Sequence, residues 1–176
     1  MSTVEVLKNP IEPLTWVLGS WKGQGNGGFP TLSPFEYMDH IHFKVIEEAF
    51  ETEPLIHFEE IAWVIESTRT TFKHWETGYF KPAPDGRIQL YICHNTGRIE
   101  ITYGSYLELD LEKRSFELEF ESNFIRNDEG TIATMASKRV LIYDGKKLKY
   151  NLEMSTSDVS SLSSHLTSVL KSVEEL

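Results

Sequence analysis

The stretch Phe116-Glu117-Leu118-Glu119-Phe120-Glu121 shows the pattern that decides the fold of this chain. Its apolar and acidic residues alternate with a period of two, which is typical of a β-strand with one face on a core and the other in water. Residues 148–154 repeat this pattern, and their inward set ends on Met154. Residues 88–94 do the same and end on His94. We therefore expect Met154 and His94 to point into the interior.

Turn signals separate such segments at short intervals along the chain. They are Asp85-Gly86, Thr96-Gly97, Asn127-Asp128-Glu129-Gly130 and Asp144-Gly145. Turns at such short intervals predict an antiparallel meander. About ten strands fit between Trp21 and Met154, which is enough for an up-and-down β-barrel with room for a ligand inside. The predicted fold class is all-β with short terminal helices, in a single domain over residues 1–176.

Helical signals are confined to the two ends of the chain. Residues 13–18 predict a short turn or helix that stops at Gly19, which can adopt the left-handed conformation. Near the other end, Asp158 or Ser160 would cap a last helix. Its apolar stripe would contain Leu162, Leu166, Val169, Leu170 and Val173, with His165 on the same face. A histidine placed there could ligate iron at the mouth of a barrel, although a lone histidine on an apolar face more often packs in a core.

Composition and charge narrow the function classes. The 176 residues are 40% hydrophobic, which is enough to fill a core or line a pocket. The net charge of -10 and the pI near 5.1 disfavour nucleic acid and anionic membranes as partners. The longest apolar stretches are short, and residues 1–5 lack the features of a secretion signal. A single cysteine, Cys93, cannot form an internal disulfide. We expect a cytoplasmic protein.

The run from Gly19 to Gly25 has the pattern Gly-x-Trp-x-Gly-x-Gly at the start of the first strand. Trp21 can plug one end of a barrel, while Gly23 and Gly25 let another strand or a ligand approach the backbone closely. Barrel closure is the favoured interpretation. A phosphate-binding loop is not supported, because the pattern lacks the Lys-Ser/Thr ending and the following helix.

Several blocks of the chain together resemble one family. The opening block is Leu14–Gly25 followed by Phe29-Pro30-Thr31. His74-Trp75-Glu76-Thr77-Gly78-Tyr79-Phe80 follows, and then Asn95-Thr96-Gly97 with Glu100. The last block is Met154-Ser155-Thr156 leading to His165-Leu166. In this order the blocks resemble the nitrobindin family over essentially the whole chain.

The resemblance implies a ten-stranded barrel of the calycin or fatty-acid-binding-protein-like type that holds haem b. His165 matches the axial ligand and would leave the opposite iron position open. The implied function is that of a ferric haem enzyme that binds nitric oxide and isomerises peroxynitrite to nitrate. Iron would take part in breaking the O–O bond, so little acid–base machinery is needed.

Other positions carry over from the family as cofactor contacts. Thr31 and Lys138 match places where the family touches the haem or its propionates, although Lys138 could equally be an ordinary outward lysine. Met154 matches an apolar residue near the haem. His74 would line the distal side or be a half-buried strand residue. His94 departs from the family pattern, and it could hydrogen-bond an iron-bound ligand or occupy the sixth position.

A second departure lies between Met154 and His165, where the expected proline is missing and one residue is added, so the register of the last helix is open. Two other functions also remain open. A non-catalytic barrel could bind a fatty acid or other hydrophobic molecule, with Arg126, Arg139 and Tyr150 as candidates for the carboxylate. Alternatively, the domain could serve dimerisation, with His165 only packing, and a homodimer is compatible with the sequence.

Overall fold

The alternating segments form ten antiparallel strands that close into a barrel. The computed structural model describes residues 7–67 and 69–173. In chain order the strands are β1 (Gly19–Phe29), β2 (Leu32–Lys44), β3 (Ile56–Ile65), β4 (Thr70–Pro82), β5 (Ile88–His94), β6 (Ile99–Asp110), β7 (Ser115–Arg126), β8 (Thr134–Tyr143), β9 (Lys147–Thr156) and β10 (Ser163–Val173). Each strand pairs with its neighbours in sequence, and β1 pairs with β10 to close the sheet. The predicted barrel and its strand number are confirmed.

The predicted turns lie between strands. Asp85-Gly86 connects β4 to β5, and Thr96-Gly97 connects β5 to β6. Residues 127–130 lie between β7 and β8, and Asp144-Gly145 lies between β8 and β9. The glycine of each turn has a positive φ, a conformation that costs other residues energy. These connections therefore follow directly from turn chemistry.

One end of the barrel is sealed by the start of the chain. A 3₁₀ helix at Glu12–Val17 confirms the predicted N-terminal turn, and it buries Leu14 completely. The Trp21 side chain is 4% exposed, and its indole N–H donates to the Val17 carbonyl at 2.7 Å. A second 3₁₀ helix covers Glu47–Ala49. Across 7–67 and 69–173, no helix is long and apolar enough to span a membrane.

The seam between β1 and β10 depends on glycines. A Cβ atom at Gly23 would lie 2.1 Å from the Val169 carbonyl oxygen. At Gly25 it would lie 2.5 Å from the Thr167 carbonyl oxygen. Both distances are far below van der Waals contact, so only glycine allows this approach. The distances support the interpretation of the Gly-x-Trp-x-Gly-x-Gly motif as a barrel-closure element.

The predicted C-terminal helix is wrong, because residues 163–173 form strand β10. Leu166 and Leu170 point inward, whereas Val169 of the predicted stripe is 46% exposed. The pattern misled because two leucines four residues apart share a face in a helix and also in a strand. Pairing with β1 on one side and β9 on the other decides the outcome, since a helix would leave both edges unpaired.

Candidate functional site

A cavity of about 520 Å³ opens at the end of the barrel where β2 begins. This volume lies within the range of roughly 300–1,000 Å³ that is typical of small-molecule and cofactor sites. Residues from several strands line the cavity, including Phe35, Tyr37, His74, Arg98, Met154 and His165. The strands therefore bring apolar side chains, two imidazoles and a guanidinium together in one space.

Two larger clefts lie elsewhere on the barrel. One, of about 760 Å³, is lined by residues that include Lys44 and His57. The other, of about 830 Å³, lies beside Tyr106 and Asp110. Neither cleft contains His165 or touches the buried charges described below, so the smaller cavity is the better candidate for chemistry.

A β-bulge turns His165 toward the cavity. Ser164 pairs with Glu153 and Leu166 pairs with Leu152, so His165 is an extra residue without a partner on β9. Bulges of this kind often redirect a side chain beside an active site. The adjacent Leu166 also lines the cavity, which is possible only because the alternation of β10 is interrupted at this point.

The surroundings of the His165 ring define its tautomer. Its Nδ1 lies 2.9 Å from the carbonyl oxygen of Gly28, and because a carbonyl only accepts hydrogen bonds, Nδ1–H is the donor. The lone pair is therefore on Nε2. The rings of Phe29 and Phe35 pack edge-on against the imidazole, with centroid distances of 5.7 and 6.5 Å.

Burial lowers the pKa of His165 below its ordinary value. The hydrogen bond to Gly28 acts in the opposite direction, whereas the charges of Arg98, His74 and Arg139 lower the pKa further. The ring is consequently neutral near pH 7. A neutral imidazole whose Nδ1–H is held by a carbonyl is the usual form of a metal-ligating histidine.

Glu76 lies at the centre of a buried polar network beside the cavity. Its Oε1 accepts a hydrogen bond from Arg139 Nη1 at 2.6 Å. Its Oε2 lies 3.0 Å from His74 Nε2 and 3.1 Å from His94 Nδ1. Burial acts to raise the pKa of Glu76, but Arg139 and His94 hold that pKa well below its usual range. Glu76 is therefore a carboxylate.

Glu100 continues this network on the far side of His94. Its Oε1 lies 2.9 Å from His94 Nε2 and 2.8 Å from Arg98 Nε, and Ser137 donates to Oε2 at 2.6 Å. Burial acts to raise the pKa of Glu100, but the charge of Arg139 and the contact with His94 lower it to about 2. Both carboxylates that flank His94 are thus ionised.

Two further carboxyls in the interior have pKa values that are raised instead of lowered. Burial raises the pKa of Asp39 to about 7, even though Ser168 donates a hydrogen bond to it at 2.7 Å. Burial, with repulsion from Asp39 and Glu76, raises the pKa of Glu60 well above its ordinary value. The interior therefore contains acids in both protonation states.

Three of the predicted site residues meet at the cavity, namely His165, His74 and Met154. His94 is buried, as predicted from strand parity, but both of its ring nitrogens face glutamates instead of the cavity. His74 is therefore the histidine that shares the cavity with His165.

Two other predicted contacts lie away from the cavity lining. Lys138 is on the outer face of β8, where its Nζ pairs with Glu119 at 2.9 Å. This is the ordinary outward lysine that the sequence also allowed. Thr31 is exposed in the turn between β1 and β2, next to Leu32 at the cavity rim.

The residues proposed for a fatty-acid carboxylate do not form a vacant site. Arg139 and Tyr150 are buried together, with Arg139 Nη1 2.6 Å from the Tyr150 hydroxyl. However, Glu76 already occupies the guanidinium with both of its oxygens, at 2.6 and 3.2 Å. Arg126 is exposed. The chain's own carboxylate thus takes the place that a ligand carboxylate would need.

The sequence analysis missed the acidic residues of the interior. Asp39 shares strand parity with Tyr37 and Ile41, and Glu76 shares parity with His74. A charged residue on the apolar face of a strand was the available signal, because such a residue must find a buried partner.

Comparisons with known proteins agree with this geometry. A protein of Arabidopsis thaliana named peroxynitrite isomerase Rv2717c is 32% identical over 97% of this chain and 98% of that protein. Peroxynitrite isomerase 2 of Mycobacterium bovis is 30% identical over 91% of this chain and 93% of its own. The crystal structure of Rv2717c from M. tuberculosis superposes with a TM-score of 0.81 at 27% identity, over 96% of this chain and 99% of that one.

The family profile described as "THAP4-like, heme-binding beta-barrel domain" matches residues 10–172. This match covers nearly all of the described barrel, including β1 and β10. The resemblance to nitrobindins seen in the sequence is confirmed, and the chain belongs to the THAP4-like family of heme-binding β-barrel domains.

Proposed function

We propose that this barrel binds ferric haem b through His165 and isomerises peroxynitrite to nitrate. The observation that carries the proposal is the state of His165, a neutral ring whose Nδ1–H is held by Gly28 while Nε2 keeps its lone pair. The family to which the chain belongs and the names of its relatives in Arabidopsis and Mycobacterium support the cofactor and the reaction.

The residues of the cavity fit a haem group. His165 Nε2 would bind the haem iron, and Phe35, Met154 and Leu166 would supply apolar walls. When bound, ferric haem would supply a Lewis-acidic, redox-active iron for chemistry on a small molecule such as peroxynitrite or nitric oxide. Thr31, next to Leu32 of the cavity rim, is a candidate contact for the haem edge. Lys138 and His94 are not part of the proposed haem contacts.

The chain's own residues would act mainly by holding the substrate. Peroxynitrite and nitrate are isomeric anions, so the reaction needs no net proton from the protein. Arg98 lines the cavity with a guanidinium that attracts an anion, and the apolar wall limits competing water. His74 is held in one orientation by Glu76 at 3.0 Å, so its ring faces the cavity from a fixed position.

The test is a haem titration of the wild type, His165→Ala and the control His42→Ala, followed by absorbance. His42 lies on the outer face of β2, where its ring contacts Ser20. We expect the wild type and the control to show the same Soret band. His165→Ala should lose haem affinity by at least roughly 100-fold, since removing a group that only orients a metal ligand already costs about 10–100-fold in metal affinity. An unchanged ferric spectrum in His165→Ala would exclude this histidine as the ligand.

Catalysis is tested with the same three proteins. Stopped-flow decay of peroxynitrite, together with the yield of nitrate, should be faster in the presence of the wild type and the control than in buffer. With His165→Ala, the decay rate and the nitrate yield should both return to the buffer values.

The cytoplasmic location, the homodimer and a single domain over 1–176 remain predictions.

A further inference from the structure

We propose that His74, Glu76 and His94 form a second metal site for a divalent transition cation such as zinc or iron(II), in the wall of the cavity and independent of the haem. Two histidines and one carboxylate are a common ligand set for these cations, and they leave coordination positions open. This site goes beyond the proposed function, because neither haem binding nor peroxynitrite isomerisation requires it.

Glu76 Oε2 already lies at metal-ligand spacing from both histidines. His74 Nε2 and His94 Nδ1 lie 3.0 and 3.1 Å from Glu76 Oε2, and all three atoms fall within 4.8 Å of one another. A metal bound at about 2.0–2.1 Å holds neighbouring N and O ligands at about 3 Å from each other. A cation could therefore enter with small side-chain movements.

Regular strands hold these three residues. His74 and Glu76 are alternate residues of β4 and share its inner face. His94 is the directly paired residue of Glu76 on β5. Sites built on paired strands are more rigid than sites on loops, so the spacing is a property of the sheet.

The groups around the ligands also match a metal site. His94 Nε2 lies 2.9 Å from Glu100 Oε1, which would orient the ring with Nδ1 toward a cation, as carboxylates do for metal-bound histidines. Arg139 approaches Glu76 Oε1 at 2.6 Å and would orient that carboxylate. His74 lines the cavity, so the open coordination positions would face it.

Arg98 is the main competitor for this position. Its Nη2 lies 3.3 Å from His94 Nδ1, whereas its Nε contacts Glu100 at 2.8 Å. The Arg98 side chain is 18% exposed, so its guanidinium can turn away from Nδ1 and still contact Glu100. Removing the Arg98 charge should consequently strengthen metal binding.

The test uses the full-length protein, freed of loosely bound metal by a chelator and then dialysed against zinc chloride. Zinc and iron are counted separately by mass spectrometry. We expect one zinc per chain in addition to any haem iron. X-ray absorption at the zinc edge should show N/O ligands at about 2.0–2.1 Å with the scattering of two imidazoles.

Matched variants locate the zinc. His74→Gln and His94→Gln should each weaken zinc binding by at least about 10-fold. The control His42→Gln/His57→Gln removes two outer histidines and should bind zinc like the wild type. Arg98→Gln should bind zinc several-fold more tightly. Thermal unfolding of each metal-free variant shows whether it is folded.

Separate outcomes bear on the two proposals. His165→Ala should keep its zinc while losing haem, so failure of the haem proposal leaves the zinc result intact. The second site is refuted if the wild type binds no zinc at micromolar concentrations. It is also refuted if folded His74→Gln and His94→Gln retain wild-type affinity, or if the double control loses the zinc.

Discussion

A neighbouring guanidinium, and neither burial nor a hydrogen bond alone, determines the charge of individual acids in this barrel. Asp39 accepts a hydrogen bond from Ser168, yet burial raises its pKa to about 7, and the charge of Glu76 adds to this rise. Glu76 is equally buried, but it contacts Arg139 and keeps its charge. A nearby cation, and not the depth of the residue, therefore separates the two cases.

The first prediction concerns Asp39 and pH. Between about pH 4 and 7 the folded chain binds a proton at Asp39 that the unfolded chain has released, so this residue makes stability fall as pH rises, until about pH 7. Asp39→Asn removes this proton exchange. We expect its stability to decline less with pH than that of the wild type, by up to about 1.4 kcal/mol per pH unit.

Urea unfolding at pH 5, 6, 7 and 8 measures this difference, and Glu153→Gln on the outer face is the matched control. The free energy of unfolding of Asp39→Asn should increase relative to that of the wild type as pH rises to 7. The free energy of unfolding of Glu153→Gln should change with pH as that of the wild type does. Parallel curves for Asp39→Asn and the wild type would mean that Asp39 is ionised in the folded chain throughout this range.

Single residues of the site were predictable to different degrees. His94 and Met154 follow from strand parity, because a period of two assigns each residue to one face. His165 was singled out by its place on the face of a predicted helix and by family resemblance, but the segment is a strand, so the predicted reason for its orientation was wrong. Its orientation depends on the bulge after Ser164, and a one-residue insertion in a strand has no distinct pattern in a single sequence.

At the scale of elements, β10 shows how tertiary pairing overrides a local pattern. The turn glycines and the alternation in β7 predict their elements correctly, because these signals are local. In β10 the spacing of Leu166 and Leu170 satisfies both helical and strand periods. The deciding factor is the pair of open edges on β1 and β9, which the local sequence of residues 163–173 does not contain.

The second prediction separates a strand from a helix at this position. Leu170 is fully buried and Val169 is 46% exposed, although the predicted helix had both on its apolar stripe. Leu170→Ala should lower the free energy of unfolding by about 2–5 kcal/mol. Val169→Ala should change it by no more than about 0.5 kcal/mol. Chemical denaturation measures both, and equal losses would contradict the strand.

At the scale of the whole molecule, the net charge of -10 opposes the approach of an anionic substrate. We therefore predict that isomerisation of peroxynitrite becomes faster when ionic strength rises from about 10 to 150 mM, because salt screens the repulsion. Stopped-flow rates at constant pH, with a neutral salt, test this. A rate that falls with salt would show that local attraction by Arg98 and Lys73 at the cavity outweighs the overall charge.

The pairing of β1 with β10 also sets an order of events during protein synthesis. The ribosome makes the nine strands that form most of the cavity wall before it makes the strand that contains His165. Until β10 emerges, the glycine-rich edge of β1 that pairs with it stays unpaired. The carbonyl of Gly28 cannot yet accept the hydrogen bond from His165. Haem loading through His165 would consequently follow translation of the barrel, and the nascent chain would expose two unpaired strand edges until β10 is in place.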